Sequence, residues 1–212
     1  MKLTKYEHAC FTVEKDGKVL VVDPGGYTTD LPALENVVAV IITHKHADHF
    51  DINAVEALFA SNPDIVVYSP QQVDESLVAA AFSHKAVAAG ETISCGPFEL
   101  EFFGGDHAEI HASLPIDQNV AVMVNDTVYY PGDSFTQPNK PVAVLALPVA
   151  APWLKMSEVI DYIAEVKPTM AFPTHDAILS STGKKLSDTM LPGFMQIYGG
   201  TYKRIDSMTV DL

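Results

Sequence analysis

Four residues able to bind a metal fall within six positions in His44-Lys-His46-Ala-Asp48-His49. Imidazole and carboxylate together suit zinc, iron or manganese, and the set contains no soft thiolate. Directly before it runs Val37-Val-Ala-Val-Ile-Ile-Thr43, a β-branched apolar stretch that reads as a strand buried on both faces. In α/β proteins, ligands gather where such strands leave the sheet. Alternation along an extended backbone puts His44 and His46 on the same side, with Asp48 and His49 on the turn that follows. The stretch reads as a metal site.

Other strand exits present the same kinds of side chain. Lys18-Val-Leu-Val-Val22 ends in Asp23-Pro-Gly-Gly, a sharp turn that aims a carboxylate off the sheet edge and suits Asp23 to an outer-shell role. Phe98-Glu-Leu-Glu-Phe-Phe103 alternates apolar and acidic, then passes through Gly104-Gly105-Asp106 to His107, which reads as a third metal-binding histidine. Asp133 follows a hairpin turning at Asn125-Asp126, and His175 follows the strand Thr169-Met-Ala-Phe172. Every candidate lies at the tip of a strand.

The elements that must position these tips are short. Asp16-Gly17 between β-rich runs signals a hairpin over residues 5–23. Helices are expected from Asp51 or Asn53 to Ala60, over Gln72–Phe82, from a Ser157 cap to about Val166, and from Lys184 to about Tyr198. Between them lie strands at Asp64–Tyr68, Ala86–Ala88, Glu91–Ser94, Val142–Leu147 and Met208–Val210. Linkers, repeats and low-complexity runs are absent from this sequence. The pattern is one α/β domain over 1–212, with two packed sheets between helical layers and a functional rim.

Composition narrows the function. The 212 residues are 48% hydrophobic and 19% charged, with a formal net charge of −14, which suits a soluble globular chain. That acidity disfavours nucleic acid, whose phosphates need clustered Lys and Arg. The N-terminus lacks the apolar core of a signal peptide, and Val142–Trp153 is too short to span a bilayer. Cys10 and Cys95 are far apart and read as small hydrophobes, so a cytoplasmic, reduced protein without membrane attachment is expected. His84, beside Lys85, reads as a surface histidine.

In order, Asp23, His44-x-His46-x-Asp48-His49, His107, Asp133 and His175 resemble the five motifs of the metallo-β-lactamase superfamily across nearly the whole chain. The resemblance implies an αββα sandwich, with two mixed β-sheets flanked by helices and the active site on one edge. Carried over by position, His44, His46 and His107 would hold one divalent ion. Asp48, His49 and His175 would hold a second, with Asp133 bridging. Zinc is the first choice, and manganese or iron are alternatives. True lactamases lack the bridging aspartate, so an antibiotic target is not implied. Length, His8-Ala-Cys-Phe11 and Pro131-Gly-Asp-Ser134 resemble the small L-ascorbate-6-phosphate lactonase-like group of metal-dependent hydrolases. The implied enzyme uses a hydroxide bridged between two metals to cleave a small, anionic ester, lactone or phosphoester. Asp48 would orient that hydroxide or take its proton.

Two histidines remain as candidates for binding substrate or protonating a leaving group: His8, near the end of the first strand, and His111, which would share a helical face with His107. Trp153 and Lys155, on a proline-rich loop, are candidate pocket residues. The expected partner is a small-molecule substrate, and apolar rim residues leave open a homo-oligomer. The alternatives are a metal-dependent nuclease or phosphodiesterase, a mononuclear iron oxygenase, and a non-catalytic metal-binding protein. Complete ligand sets weigh against the last two.

Overall fold

The computed structural model describes residues 1–29, 31–206 and 208–212. Both expected hairpin turns form on left-handed residues, at Asp16-Gly17 and at Asn125-Asp126, the geometry that matches the twist of the strands they join. The strands are β1 (Lys2–Lys5), β2 (Phe11–Lys15), β3 (Lys18–Val22), β4 (Val37–Ile41), β5 (Val66–Ser69), β6 (His84–Ala86), β7 (Thr92–Cys95), β8 (Phe98–Asp106), β9 (Gln118–Val124), β10 (Val128–Tyr130), β11 (Val144–Pro148), β12 (Met170–Thr174), β13 (Thr201–Tyr202) and β14 (Thr209–Asp211). They form two sheets, β14-β1-β2-β3-β4-β5-β6 and β13-β12-β11-β10-β9-β8-β7. Within them β3, β4, β5 and β6 run parallel, as do β10, β11, β12 and β13, while the remaining pairs are antiparallel.

Three apolar layers hold the sheets and helices together. Ala39 and Ile41 of β4 pack between the sheets with Phe11, Val122 and Phe172, whereas Val37, Val40 and Ile42 face α1 (Ile52–Ser61) and α2 (Asp74–Ala79). Because alternate residues serve two cores, this run is apolar without a break. On the far side, Ala121, Met123 and Leu145 pack against α3 (Met156–Val166) and α4 (Ser181–Ile197). The result is the expected αββα arrangement, with the C-terminal ends of both parallel sets opening on one rim.

Four local expectations are corrected. Strand β4 stops at Ile41, so His44 and His46 lie on the loop beyond it and are paired by loop geometry instead of strand alternation. The segment after Pro70 is a short 3₁₀ turn (Gln71–Val73) followed by α2, and only Val73 and Leu77 are buried, because Val78 points outward. Helix α3 is capped at Lys155, whose backbone N–H donates to the Glu158 carboxylate at 2.9 Å, so Ser157 is inside the helix. His84 belongs to β6, is half-buried, and binds the Phe82 carbonyl at 2.9 Å.

Candidate metal centre

The loops at the rim are drawn together by close backbone contacts. Asp23 has a left-handed backbone (φ 44°), and the turn after it runs against the histidine loop, with the Gly26 N–H donating to the Ala47 carbonyl at 2.7 Å. A Cβ on Gly25 would lie 1.9 Å from the Asp48 carbonyl oxygen, so only glycine allows this approach. The buried Asp23 carboxylate accepts from the Thr43 N–H (2.8 Å), the Thr43 hydroxyl (2.6 Å) and His49 Nδ1 (2.7 Å). One side chain therefore fixes both ends of the motif.

Three groups of ligand-type atoms result, each with its atoms within 4.8 Å of one another: His44, His46 and His107; His8, Asp48, His49 and His175; and His44, His49 and Asp133. Asp133 lies between the first two. Its Oδ2 is 3.0 Å from His175 Nε2 and 3.4 Å from His107 Nε2, while its Oδ1 is 3.2 Å from His49 Nε2. Trp153 Nε1–H donates to Oδ2 at 3.0 Å, and the Asn119 amide oxygen accepts from the Asp133 backbone N–H at 3.0 Å.

The ring nitrogens divide in a consistent way. Thr43 gives its hydroxyl proton to Asp23, so its oxygen accepts from His44 Nδ1 at 3.0 Å. His49 Nδ1 donates to Asp23, His107 Nδ1 to the Ala108 carbonyl at 2.6 Å, and His175 Nδ1 to the Ala150 carbonyl at 2.5 Å. His46 is reversed: its Nε2 donates to Asp117 at 3.1 Å, which leaves Nδ1 with the lone pair. All five histidines thus have an acceptor behind one nitrogen and the other nitrogen turned into the cluster. Among the described residues, His44 Nε2, His49 Nε2, His107 Nε2 and Asp133 Oδ1 are buried without a hydrogen-bond partner. Buried polar atoms seldom go unsatisfied, and a divalent cation is the partner that suits this donor set.

Charge differs across the site. Burial holds His44 well below the usual histidine range and also lowers His46. Burial opposes protonation of His49 as well, but Asp133 and Asp23 outweigh it and hold its proton well above that range. His175 is likewise raised, to about 9, by Asp133 and Asp48 against burial. Burial acts to raise Asp133 and Asp48, yet the neighbouring imidazoles hold both well below the carboxylate range.

Residues 2–175 match the model of the family described as the beta-lactamase superfamily domain. The chain belongs to the metallo-β-lactamase superfamily. Within it, the chain is 34% identical over 185 residues to Protein Rv0786c of Mycobacterium tuberculosis, covering 85% of this chain and 86% of that one. It is 28% identical over 138 residues to the UPF0173 metal-dependent hydrolase MJ1163 of Methanocaldococcus jannaschii, covering 62% and 60% of the two chains. In fold it is similar to Igni18, a metallo hydrolase of Ignicoccus hospitalis, with a TM-score of 0.72 and 17% identity over 100% of this chain and 98% of that one.

Not every residue singled out from the sequence reaches the rim cluster. His111 is exposed on an irregular loop and bonds Ser113 Oγ at 2.7 Å; no helical turn joins it to His107, and it stands outside all three ligand groups. The Lys155 side chain is 79% exposed and pairs with Glu158, so it does not line the site. His8 is wholly buried against Asp48. Sequence reasoning missed Asp117, which supports His46 and pairs with Lys45 at 2.7 Å, and it missed Asn119. Neither sits in a motif; the only signal was an acid and an amide at the start of the hairpin that leads to Asp133. Beside the first group, a shallow depression is lined by His46, His107, Ile110, Leu114 and Ile116. A larger cavity near Asn36 and Asn62 opens at the opposite ends of β3 and β4, away from the histidines.

Proposed function

We propose that this chain is a metal-dependent hydrolase that uses two divalent ions to cleave a small ester, lactone or phosphoester, anionic ones foremost. Zinc is the first choice of metal, with manganese or iron as alternatives. The observation that carries this reading is the division of ring nitrogens: five histidines each have one nitrogen anchored to the protein and the other turned toward Asp133 or its neighbours. Such anchoring fixes tautomer and aim before any ion arrives. The hydrolase class is also the one named for the M. jannaschii and I. hospitalis proteins.

His44 Nε2, His46 Nδ1 and His107 Nε2 would hold one ion, and Asp48, His49 Nε2 and His175 Nε2 the other, with Asp133 shared. Bound there, the ions would lower the pKa of water toward about 7 and polarise the carbonyl or phosphoryl oxygen of the substrate. The chain's own residues do the rest. Asp48, kept ionised by His175 and His8, accepts the hydrogen bond that orients the attacking water. Trp153 holds Asp133 Oδ2 from the outer side and shields it from solvent. Lactones are included on the likeness of the chain's length, His8-Ala-Cys-Phe11 and Pro131-Gly-Asp-Ser134 to the lactonase-like group.

The test is metal content of freshly purified protein by inductively coupled plasma mass spectrometry, followed by turnover on lactones, thioesters and phosphodiesters. About two zinc or manganese ions per chain with hydrolysis of one class is the expected result. One iron per chain with no hydrolysis would overturn it in favour of oxygen chemistry.

A further inference from the structure

A sixth histidine lies in the cluster and is built in the opposite way. By distance alone His8 is a fourth ligand beside Asp48, His49 and His175. Its hydrogen bonds contradict that. The other five imidazoles have an acceptor behind them, whereas His8 has a donor: the Ala177 backbone N–H points at His8 Nδ1 from 3.3 Å. A neutral imidazole has one lone-pair nitrogen and one N–H. With Nδ1 accepting, the proton is on Nε2, and a protonated nitrogen has no lone pair for a metal. His8 Nε2 lies 3.0 Å from Asp48 Oδ2, where that proton forms a hydrogen bond.

We propose that His8 is a positioning residue, locked by the Ala177 amide in its Nε2–H tautomer, that braces Asp48 for the second metal ion and does not bind that ion itself. This rests on the reading that Asp48 faces a second ion. The surroundings suit a fixed brace. The ring is wholly buried, packs 4.2 Å from the His175 ring and has Tyr27 edge-on at 5.0 Å. The backbone is pinned as well: His8 has a left-handed φ of 53°, and its carbonyl accepts from the His175 N–H at 3.2 Å. His8 follows β1 in one sheet, and residues 175–177 follow β12 in the other. One side chain therefore ties the orientation of a ligand carboxylate to the seam between the sheets. This replaces the expectation that His8 protonates a leaving group, because its one proton is committed to Asp48 and shielded from solvent.

Two measurements test the proposal. Zinc competition against a chromophoric chelator, run on the full chain, should give two dissociation constants for the wild type. His8→Ala should weaken only the second ion, by about 10–100-fold. His8→Gln, whose amide N–H reaches the place of Nε2–H, should recover most of that loss and keep the visible spectrum of the cobalt-loaded protein. If His8→Gln loses the ion as completely as His8→Ala and the cobalt spectrum changes, His8 is a ligand and the proposal fails. If both variants keep wild-type affinity at both sites, His8 is only a packing residue and it fails as well. Should the variants not fold, long-range ¹H–¹⁵N spectra of histidine-labelled wild-type protein decide. An Nε2–H signal for His8, with and without zinc, supports the lock, whereas an Nδ1–H signal or a zinc-induced Nε2 shift overturns it. A wild-type stoichiometry of one ion would refute the two-ion reading instead, and the tautomer would still be read separately.

Discussion

The two halves of the metal centre are supported differently. Around His44, His46 and His107 the supports are a hydroxyl, a carbonyl and the Asp117 carboxylate of a loop, and burial keeps His44 and His46 neutral. Around Asp48, His49 and His175 they are the buried His8 ring, the buried Asp23 carboxylate and the Ala150 carbonyl, and neighbouring carboxylates retain protons on His49 and His175. The first half offers lone pairs already free, while the second offers a charge-compensated network that must give up protons to take a cation. On the two-ion reading, one pocket would bind by simple addition and the other by exchange.

The largest test of that contrast removes the residue common to both halves. Asp133→Ala takes away the carboxylate between His107, His49 and His175, and turnover should fall by more than about 100-fold, beyond what outer groups give. Steady-state kinetics with circular dichroism as a folding control would check it; near-normal turnover would remove the two-ion reading.

Acidity separates the halves next. Because Asp133 and Asp48 hold the His175 proton to about pH 9 against burial, an ion bound at its Nε2 must displace that proton. Uptake at the second pocket should strengthen with pH from neutrality, by about tenfold per unit for each proton displaced, and the His175 share should level off at about 9 while that of His49 continues. The first pocket, with His44 and His46 lowered below their ordinary value, should change far less over the same span. Calorimetric titration in buffers of different ionisation enthalpy measures the protons released. In the metal-free chain the sign reverses: the raised His175 value favours the fold below about 6.5, and that contribution is lost as pH climbs through about 9. Thermal melts across that range would show it.

The outer supports give smaller effects. Asp23→Asn places an amide N–H against His49 or Thr43 and should weaken the second ion by about 100-fold, whereas Asp117→Asn, at a partly exposed loop, should weaken the first by about 10-fold. Equal losses in the two variants would deny the asymmetry. Smallest of all, Lys155→Ala and His111→Ala should leave turnover unchanged and stability within about 0.5 kcal/mol, since both side chains are exposed. A clear loss of activity in either would return it to the site.

The sequence by itself determined the strand exits and what they carry. The apolar run of β4, the Asp-Gly and Asn-Asp turns and the glycines after Asp23 and Phe103 are local signals, so the fold class and the positions of Asp23, His44, His46, Asp48, His49, His107, Asp133 and His175 were legible. Ligand residues announce themselves by type and spacing because the chemistry restricts both. Partners of those ligands do not. Whether a ring nitrogen meets the Asp117 carboxylate, the Ala150 carbonyl or the Ala177 amide depends on loops from opposite sheets, and backbone groups carry no residue signature. For the same reason His8 and His111, one imidazole each, could not be told apart in the chain. Only tertiary structure buried one against Asp48 and left the other in solvent beside Ser113.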